Sequence, residues 1–389
     1  MSVEAKMWPF IQYVATLAIV CIVAAAQTPT LKTRTREDRE REFQASHRIV
    51  LNVQVTDAAG KPVTDLDAKD FAIFDNHEPR KLVAFHAIDG EAMNDATEVI
   101  ILLDAVNSTT QALEAEKAGI FKYFAQSHSA LPYPTSFVLW SNGHLKATGA
   151  TKDRNAVGKA FVSMTKNLHS NACAPVDGSA AKAAEAAGTP GQNEVGPHAA
   201  DVANCLQVHF KDSLAALDGI AEQQRHVGGR TIFVWVGAGW PLPSDIDFAQ
   251  LSPKARKSYS DELVNILNDL RASQVTLDAL GVHDPNLSAE LTRVDQQTLP
   301  AGAASPLSAG PSSLGLPILA RQTGGRVMSN SNDISADLGK LFDDADWYYA
   351  LSFNPPPASN GVELRSLEVK ISRPGLNIRT MTGYYTEPF

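Results

Sequence analysis

Cysteine is scarce in this chain. Three among 389 residues exclude a disulfide-dense scaffold and a four-cysteine zinc site. A basic surplus is missing too. Lys plus Arg total 34 against 43 Asp plus Glu, a net charge of -9. That balance argues against binding nucleic acid through its phosphates, and it offers no polybasic patch for anionic lipid. Several catalytic signatures are absent. There is no Gly-x-Ser-x-Gly elbow, no glycine-rich phosphate loop ending in Gly-Lys-Ser/Thr, and no His-Glu-x-x-His helix. The histidines are scattered, and none is spaced as a metal pair on one helix face. No repeat of solenoid period is found. What is present is a 44% apolar and 20% charged composition, enough to bury a real core. At ~150 residues per domain the length allows two or three domains, or one large domain with appendages.

Residues 1–26 have the layout of a secretory signal. Lys6 gives the positive flank, residues 13–23 are apolar, and Ala24-Ala25-Ala26 precede Gln27. The expectation is export, to a periplasm or beyond. The alternative is an uncleaved membrane anchor, because residues 8–26 are nearly long enough to span a bilayer. Cleavage removes Cys21 and leaves Cys173 and Cys205 in an oxidising space, where they are expected to pair as a disulfide. Residues 27–47 read as a solvated linker of mixed charge.

Residues 48–90 alternate as a small β module. Leu51, Val53 and Val55 mark the first strand, residues 71–74 the second and residues 81–86 a third. The pattern changes over residues 95–345. Continuous apolar runs at 99–103, 136–140, 231–236 and 275–282 are expected of strands buried on both faces. Helical patterns lie between them. In the first, at residues 110–127, Leu113, Ile120, Phe121 and Phe124 share a face that Lys117 interrupts. Residues 201–225 form a long helix carrying Leu206, Leu214, Leu217 and Ile220. Stretches rich in small residues, Gly and Pro, at 168–200 and 285–313, read as insertions. This alternation predicts an α/β, doubly wound, mostly parallel sheet. Residues 346–389 return to β and are expected to complete a β-sandwich-like module with residues 48–90.

In an open α/β sheet, ligands bind beyond the carboxyl ends of the strands. The first such end reads Asp104-Ala105-Val106-Asn107-Ser108-Thr109. A buried Asp followed by hydroxyl residues suits a hard cation such as Mg²⁺ or Mn²⁺. Asp104 and Ser108 are the candidate metal ligands, with Asn107, Thr109 and Asp245 as further oxygen donors. The alternative is that Asp104 caps or hydrogen-bonds the following turn. Trp240 follows the Gly237-Ala238-Gly239 turn at another strand end. It is either an exposed contact anchor or a ring folded back onto a helix. Asn142 lies in Asn142-Gly143, a hairpin-turn signal and a second candidate for partner contact.

The run VIILLDAVNS, followed by an amphipathic helix and alternating strands, resembles a von Willebrand factor type A domain. The flanks VTDAAGKPVTDLDAKDFAIFDNHEPRKLVAF and WYYALSFNPPP, with the closing Gly383-Tyr384-Tyr385, resemble the exported von Willebrand factor A-related proteins of the acidobacterial type. The resemblance covers roughly residues 48–386. It implies a domain whose first strand ends in Asp-x-Ser-x-Ser, a metal-ion-dependent adhesion site. Asp104 and Ser108 match the first Asp and second Ser, but Val106 stands at the middle Ser. The strand at 232–236 also runs into Val236-Gly237-Ala238 without the family's usual carboxylate. The implied function is non-enzymatic adhesion or scaffolding of a protein or cell-surface partner through a degenerate site. The alternatives are a metal-independent scaffold or an Asp104-dependent phosphohydrolase.

Overall fold

A computed structural model describes residues 47–89, 97–126, 130–173, 197–227, 229–240, 252–282, 315–329, 333–356, 358 and 362–386. Residues 1–46, with the expected signal segment and most of the expected linker, lie outside the described residues, as do Asp245 and the 285–313 insertion. No described helix is long and apolar enough to cross a membrane.

The first and last segments of the chain interleave. Strands β1 (Ile49–Thr56), β2 (Phe71–Asp75), β3 (Glu78–Arg80) and β4 (Ala84–Asp89) come from the amino-terminal part. Strands β12 (Trp347–Phe353), β13 (Leu364–Ile371), β14 (Asn377–Arg379) and β15 (Gly383–Tyr385) close the chain. They form two four-stranded sheets, ordered β14-β1-β12-β4 and β15-β13-β2-β3. Every pairing in both is antiparallel. Leu51 and Val53 from one sheet and Ile73 and Val369 from the other share one apolar core with Tyr349. Neither terminal segment could bury that face alone, so each needs the other. The strand expected at 81–86 is shifted to Ala84–Asp89, and a short strand at Glu78–Arg80 precedes it. Asn76 and His77 adopt positive φ, which starts a hairpin early, and β4 begins only at Ala84.

Between these segments lies a mixed α/β unit. Its sheet contains β5 (Thr97–Asp104), β6 (Ala130–Ser141), β7 (His144–Ala147), β8 (Thr151–Asp153), β9 (Arg230–Val236), β10 (Val275–Val282) and β11 (Val327–Ser329). The order is β11-β10-β9-β5-β6-β7, with β8 also paired to β6. Strands β5, β6, β9, β10 and β11 pair in parallel, whereas β7 and β8 are antiparallel to β6.

Side-chain alternation along β5 explains why helices cover both faces. Val99, Ile101 and Leu103 point into one core with helices α1 (Thr110–Phe124), α2 (Arg154–Thr165) and α6 (Ile334–Asp343). Ile100 and Leu102 point into the other with α3 (Pro197–Val227), α4 (Pro253–Ala272) and α5 (Leu316–Gln322). Two helix expectations are corrected. Phe121 is 53% exposed, because the buried stripe of α1 runs through Leu113, Glu116, Ile120, Tyr123 and Phe124. Leu206 is also exposed, and the packed face of α3 begins at Phe210.

A buried ionic cluster ties the sandwich to the α/β unit. The Asp344 carboxylate, just past α6, accepts from Arg326 Nε at 2.7 Å and Nη2 at 2.6 Å, and from Arg379 Nη2. Arg379 belongs to β14, and its Nη1 also donates to the Gly324 carbonyl at 2.7 Å. Gln54 on β1 and Arg230 at the start of β9 both donate to the Asp344 carbonyl. Gln54 therefore faces inward, although its strand position reads as solvent-facing. Asp278 on β10 is buried beside this cluster. Burial and the Asp344 charge push its carboxyl up to about 7.

Candidate functional site

Strand β5 delivers Asp104 to the carboxyl end of the parallel sheet, where the chain folds back on itself. Asp104 Oδ1 accepts the backbone N–H groups of Val106 at 3.0 Å and Asn107 at 2.9 Å. A carboxylate bonding the backbone two and three residues on is an Asx-type turn. Oδ2 accepts Asn107 Nδ2 at 2.8 Å and Trp235 Nε1 at 2.9 Å. Trp235 comes from the neighbouring strand β9, paired opposite Leu102. Asp104 is thus 0% exposed, with two donors on each oxygen.

Ser108 closes the turn. Its hydroxyl donates to Glu116 Oε1 at 3.1 Å and accepts the Ala238 N–H at 3.3 Å. Thr109 is the N-cap of α1, its side-chain oxygen accepting the Ala112 N–H at 3.3 Å. Gly237 makes the close approach between β5 and β9 feasible. Its φ is +146°, and a Cβ there would stand 2.7 Å from Asp104 Cβ and 2.8 Å from Ser108 Oγ.

Glu116 was not anticipated from the sequence. It lies on the buried stripe of α1, one turn from both Leu113 and Ile120. Burial pushes its carboxyl up to about 8, and the Asp104 charge adds to this, while the Ser108 hydrogen bond opposes it. Glu116 therefore keeps its proton at neutral pH. Its Oε2 has no hydrogen-bond partner among the described residues. Burial also raises Asp104, and its four hydrogen bonds resist that shift.

A second segment covers this turn. Residues 168–173, the start of the expected insertion, have no regular secondary structure and bond to the loops at the strand ends. Ser170 Oγ donates to the Ser108 carbonyl at 2.6 Å, and the Asn171 N–H to the Ala105 carbonyl at 2.8 Å. The side-chain oxygen of Asn171 accepts the Asn142 N–H at 3.2 Å. Asn142 and Gly143 have φ of +51° and +70° and form the two-residue turn between β6 and β7. The segment ends at Cys173, disulfide-bonded to Cys205 on α3. His209, one helical turn on, places Nδ1 3.4 Å from Cys173 Sγ and Nε2 3.9 Å from Cys205 Sγ.

No protein-family model matches the chain, and no curated protein matches it in sequence. Among solved structures, the human COPII-coat protein Sec24c is similar over 76% of this chain and 44% of that one. The identity is 7% and the TM-score 0.31. The chain thus spans less than half the length of that protein, and so distant a likeness carries no argument.

The donors at the end of β5 do not fit Mg²⁺ or Mn²⁺. A hard cation needs carboxylate and hydroxyl lone pairs turned towards it. Both oxygens of Asp104 are already committed to N–H groups, one of them the Trp235 indole. The Ser108 hydroxyl is held between Glu116 and Ala238, Thr109 is spent on its helix, and Val106 has no oxygen to give. Asn107 contributes its amide nitrogen to Asp104 and, at 3.0 Å, to Ser213 Oγ on α3. Its Oδ1 is buried without a hydrogen-bond partner among the described residues, a single neutral oxygen where a hard cation takes about six or more. Cys173, Cys205 and His209 lie close enough for a metal, but the disulfide removes the thiolates that a metal would need.

Trp240 is corrected from a candidate contact anchor to a core residue. It is 3% exposed and packs edge-on against Trp235, with ring centroids 5.6 Å apart. The positive φ of Gly239, +72°, turns the chain so that the ring folds inward. Asn142 remains exposed in the turn after β6, and Thr109 and Ala238, which follow the carboxyl ends of β5 and β9, are exposed as well.

Proposed function

We propose that this is an exported, non-enzymatic binding protein, and that its α/β unit is a von Willebrand factor A-like domain engaging a protein partner without a metal ion. The order β7-β6-β5-β9-β10-β11, with an antiparallel edge and helices on both faces, supports the domain reading. In such a sheet the ligand-binding crevice lies beyond the carboxyl ends of the strands, where the order reverses around the first strand. Here that strand is β5, and the rim beside it exposes Thr109, Asn142 and Ala238.

The observation that carries the metal-independent reading is the closed Asp104. A carboxylate with four internal donors and no exposed surface has neither lone pairs for an ion nor access for attack on a phosphate. The same closure makes Asp104 the organiser of a rigid binding rim.

The test is capture of envelope proteins by the mature chain, with and without a chelator, beside Asn142→Arg and Ala238→Arg. A defined set of captured proteins, lost in the rim variants and unaffected by chelator, is expected. Loss on chelation alone would overturn the metal-independent reading. Hydrolysis of p-nitrophenyl phosphate that disappears in Asp104→Asn would overturn the non-enzymatic one.

A further inference from the structure

We infer that Cys173–Cys205 is a thiol–disulfide exchange site, open to a dithiol reductant, that latches residues 168–173 over the Asp104 turn. Three observations lead to it. First, the bond is not sealed in a core, since Cys173, Cys205 and His209 are all only partly buried. Second, the imidazole edge of His209 lies along both sulfurs, at 3.4 and 3.9 Å. A ring nitrogen there hydrogen-bonds a departing thiolate, which lowers the barrier to breaking the bond. Third, beyond Leu168, which packs against the core, the described hydrogen bonds that hold the segment to the strand-end loops are two donations from Ser170 and Asn171 to the Ser108 and Ala105 carbonyls, and the bond from Asn142.

The exchange balances as follows. One thiolate of the reductant attacks Cys205 Sγ, and the sulfur–sulfur electron pair leaves on Cys173, which takes a proton through His209 Nδ1. The reductant's second thiol then attacks the mixed disulfide, releases Cys205 as a thiol and closes the reductant's own disulfide. Two electrons and two protons pass from the dithiol to the protein. Without the cross-link, residues 168–173 regain chain entropy, and among the described residues three hydrogen bonds to the strand-end loops and the packing of Leu168 against the core oppose their release.

The consequence for partner binding rests on the strand-end rim being the binding face, as proposed above. The latch itself does not. The test uses the mature chain under native conditions, reduced with dithiothreitol. Amide hydrogen exchange at Asn171 and Ala172 is expected to accelerate at least tenfold on reduction, while amides of β5 and β9 stay unchanged. Equal exchange in both forms would overturn the latch. So would an acceleration shared by the whole domain, which would make the bond a global staple. His209→Gln is expected to slow reduction about tenfold at pH 7, without altering exchange in the oxidised form. An unchanged rate would remove His209 from the site. Cys173→Ser combined with Cys205→Ser, if its near-ultraviolet dichroism is native, must reproduce the accelerated exchange. If reduction frees the segment but leaves partner capture untouched, the latch stands and the binding-face reading falls.

Discussion

Replacing Glu116 by Gln isolates the energetic cost of the buried carboxyl beneath the Asp104 turn. Glu116 is 2% exposed, and its proton is held up to about pH 8 against an ordinary 4.5. Below pH 4.5 both folded and unfolded chains carry the proton, and the group costs nothing through ionisation. Between 4.5 and about 8 the unfolded chain ionises and the folded chain does not, so stability falls as pH rises. Above 8 the penalty is complete. A shift of that size corresponds to roughly 4–5 kcal/mol at about 1.4 kcal/mol per unit, and local relaxation reduces it. Gln has the same shape, can still accept from Ser108, and never ionises. Glu116→Gln is therefore expected to be near neutral at pH 5 and to stabilise by about 2–4 kcal/mol at pH 8.5. Urea unfolding followed by tryptophan fluorescence at both pH values measures this. Groups uncoupled from Glu116 cancel in the difference between variant and wild type. Asp104 is coupled, and it acts in the same direction, because removing a neighbouring negative charge makes its own ionisation easier. A variant whose effect is the same at pH 5 and pH 8.5 would refute the reasoning.

Trp235→Phe keeps a ring in the core but removes the indole donor to Asp104 Oδ2. A loss of about 1.5–3 kcal/mol is expected by denaturant titration, the range for a hydrogen bond to a charged group. Gly237→Ala forces a Cβ into Asp104 and Ser108 at a φ that favours glycine. It should cost about 2–4 kcal/mol and accelerate exchange at the Val106 and Asn107 amides. Arg379→Met leaves Asp344 with Arg326 alone and strips a donor from the Gly324 carbonyl. A destabilisation of about 3–5 kcal/mol is expected, with the sandwich unfolding at a lower urea concentration than the α/β sheet. Titration of Mg²⁺ into chelator-treated protein should release no heat that Asp104→Ala removes.

The buried strands were legible because their burial is written in continuous apolar runs. Residues 99–103 and 231–236 read as strands covered on both faces, and they pair side by side as β5 and β9. The union of the two ends of the chain was legible for a related reason, since neither end carries enough alternating strand to close a core alone. Helix faces were less so. Phe121 fits the apolar stripe of α1 by periodicity, yet the position that turns inward belongs to Glu116. A pattern of apolar residues cannot register a buried carboxyl, because the compensating Ser108 lies in the loop before the helix. Trp240 was ambiguous for want of one angle. The φ of Gly239 decides whether that ring points out or in, and nothing in the residue types reveals it.

The Asp104 turn shows why oxygen-bearing residues at a strand end do not by themselves specify an ion. Asp, Asn, Ser and Thr supply the same atoms to a cation and to a self-bonded turn. What separates the two uses is whether other N–H groups reach the carboxylate first. Here the deciding donor is Trp235, 131 residues away in sequence and on the adjacent strand. Neutral donors stabilise the Asp104 charge without cancelling it. Burial is what chiefly holds the proton on Glu116, and the residual Asp104 charge adds to it. A divalent ion would have neutralised Asp104 and removed that pressure. The loop draws internal donors from Val106, Asn107 and Trp235, and on the metal-independent reading proposed above its shape is expected not to change with divalent-ion concentration. What is left to adjust that shape is the covering segment, tethered at one end by a bond that a change in redox state can break.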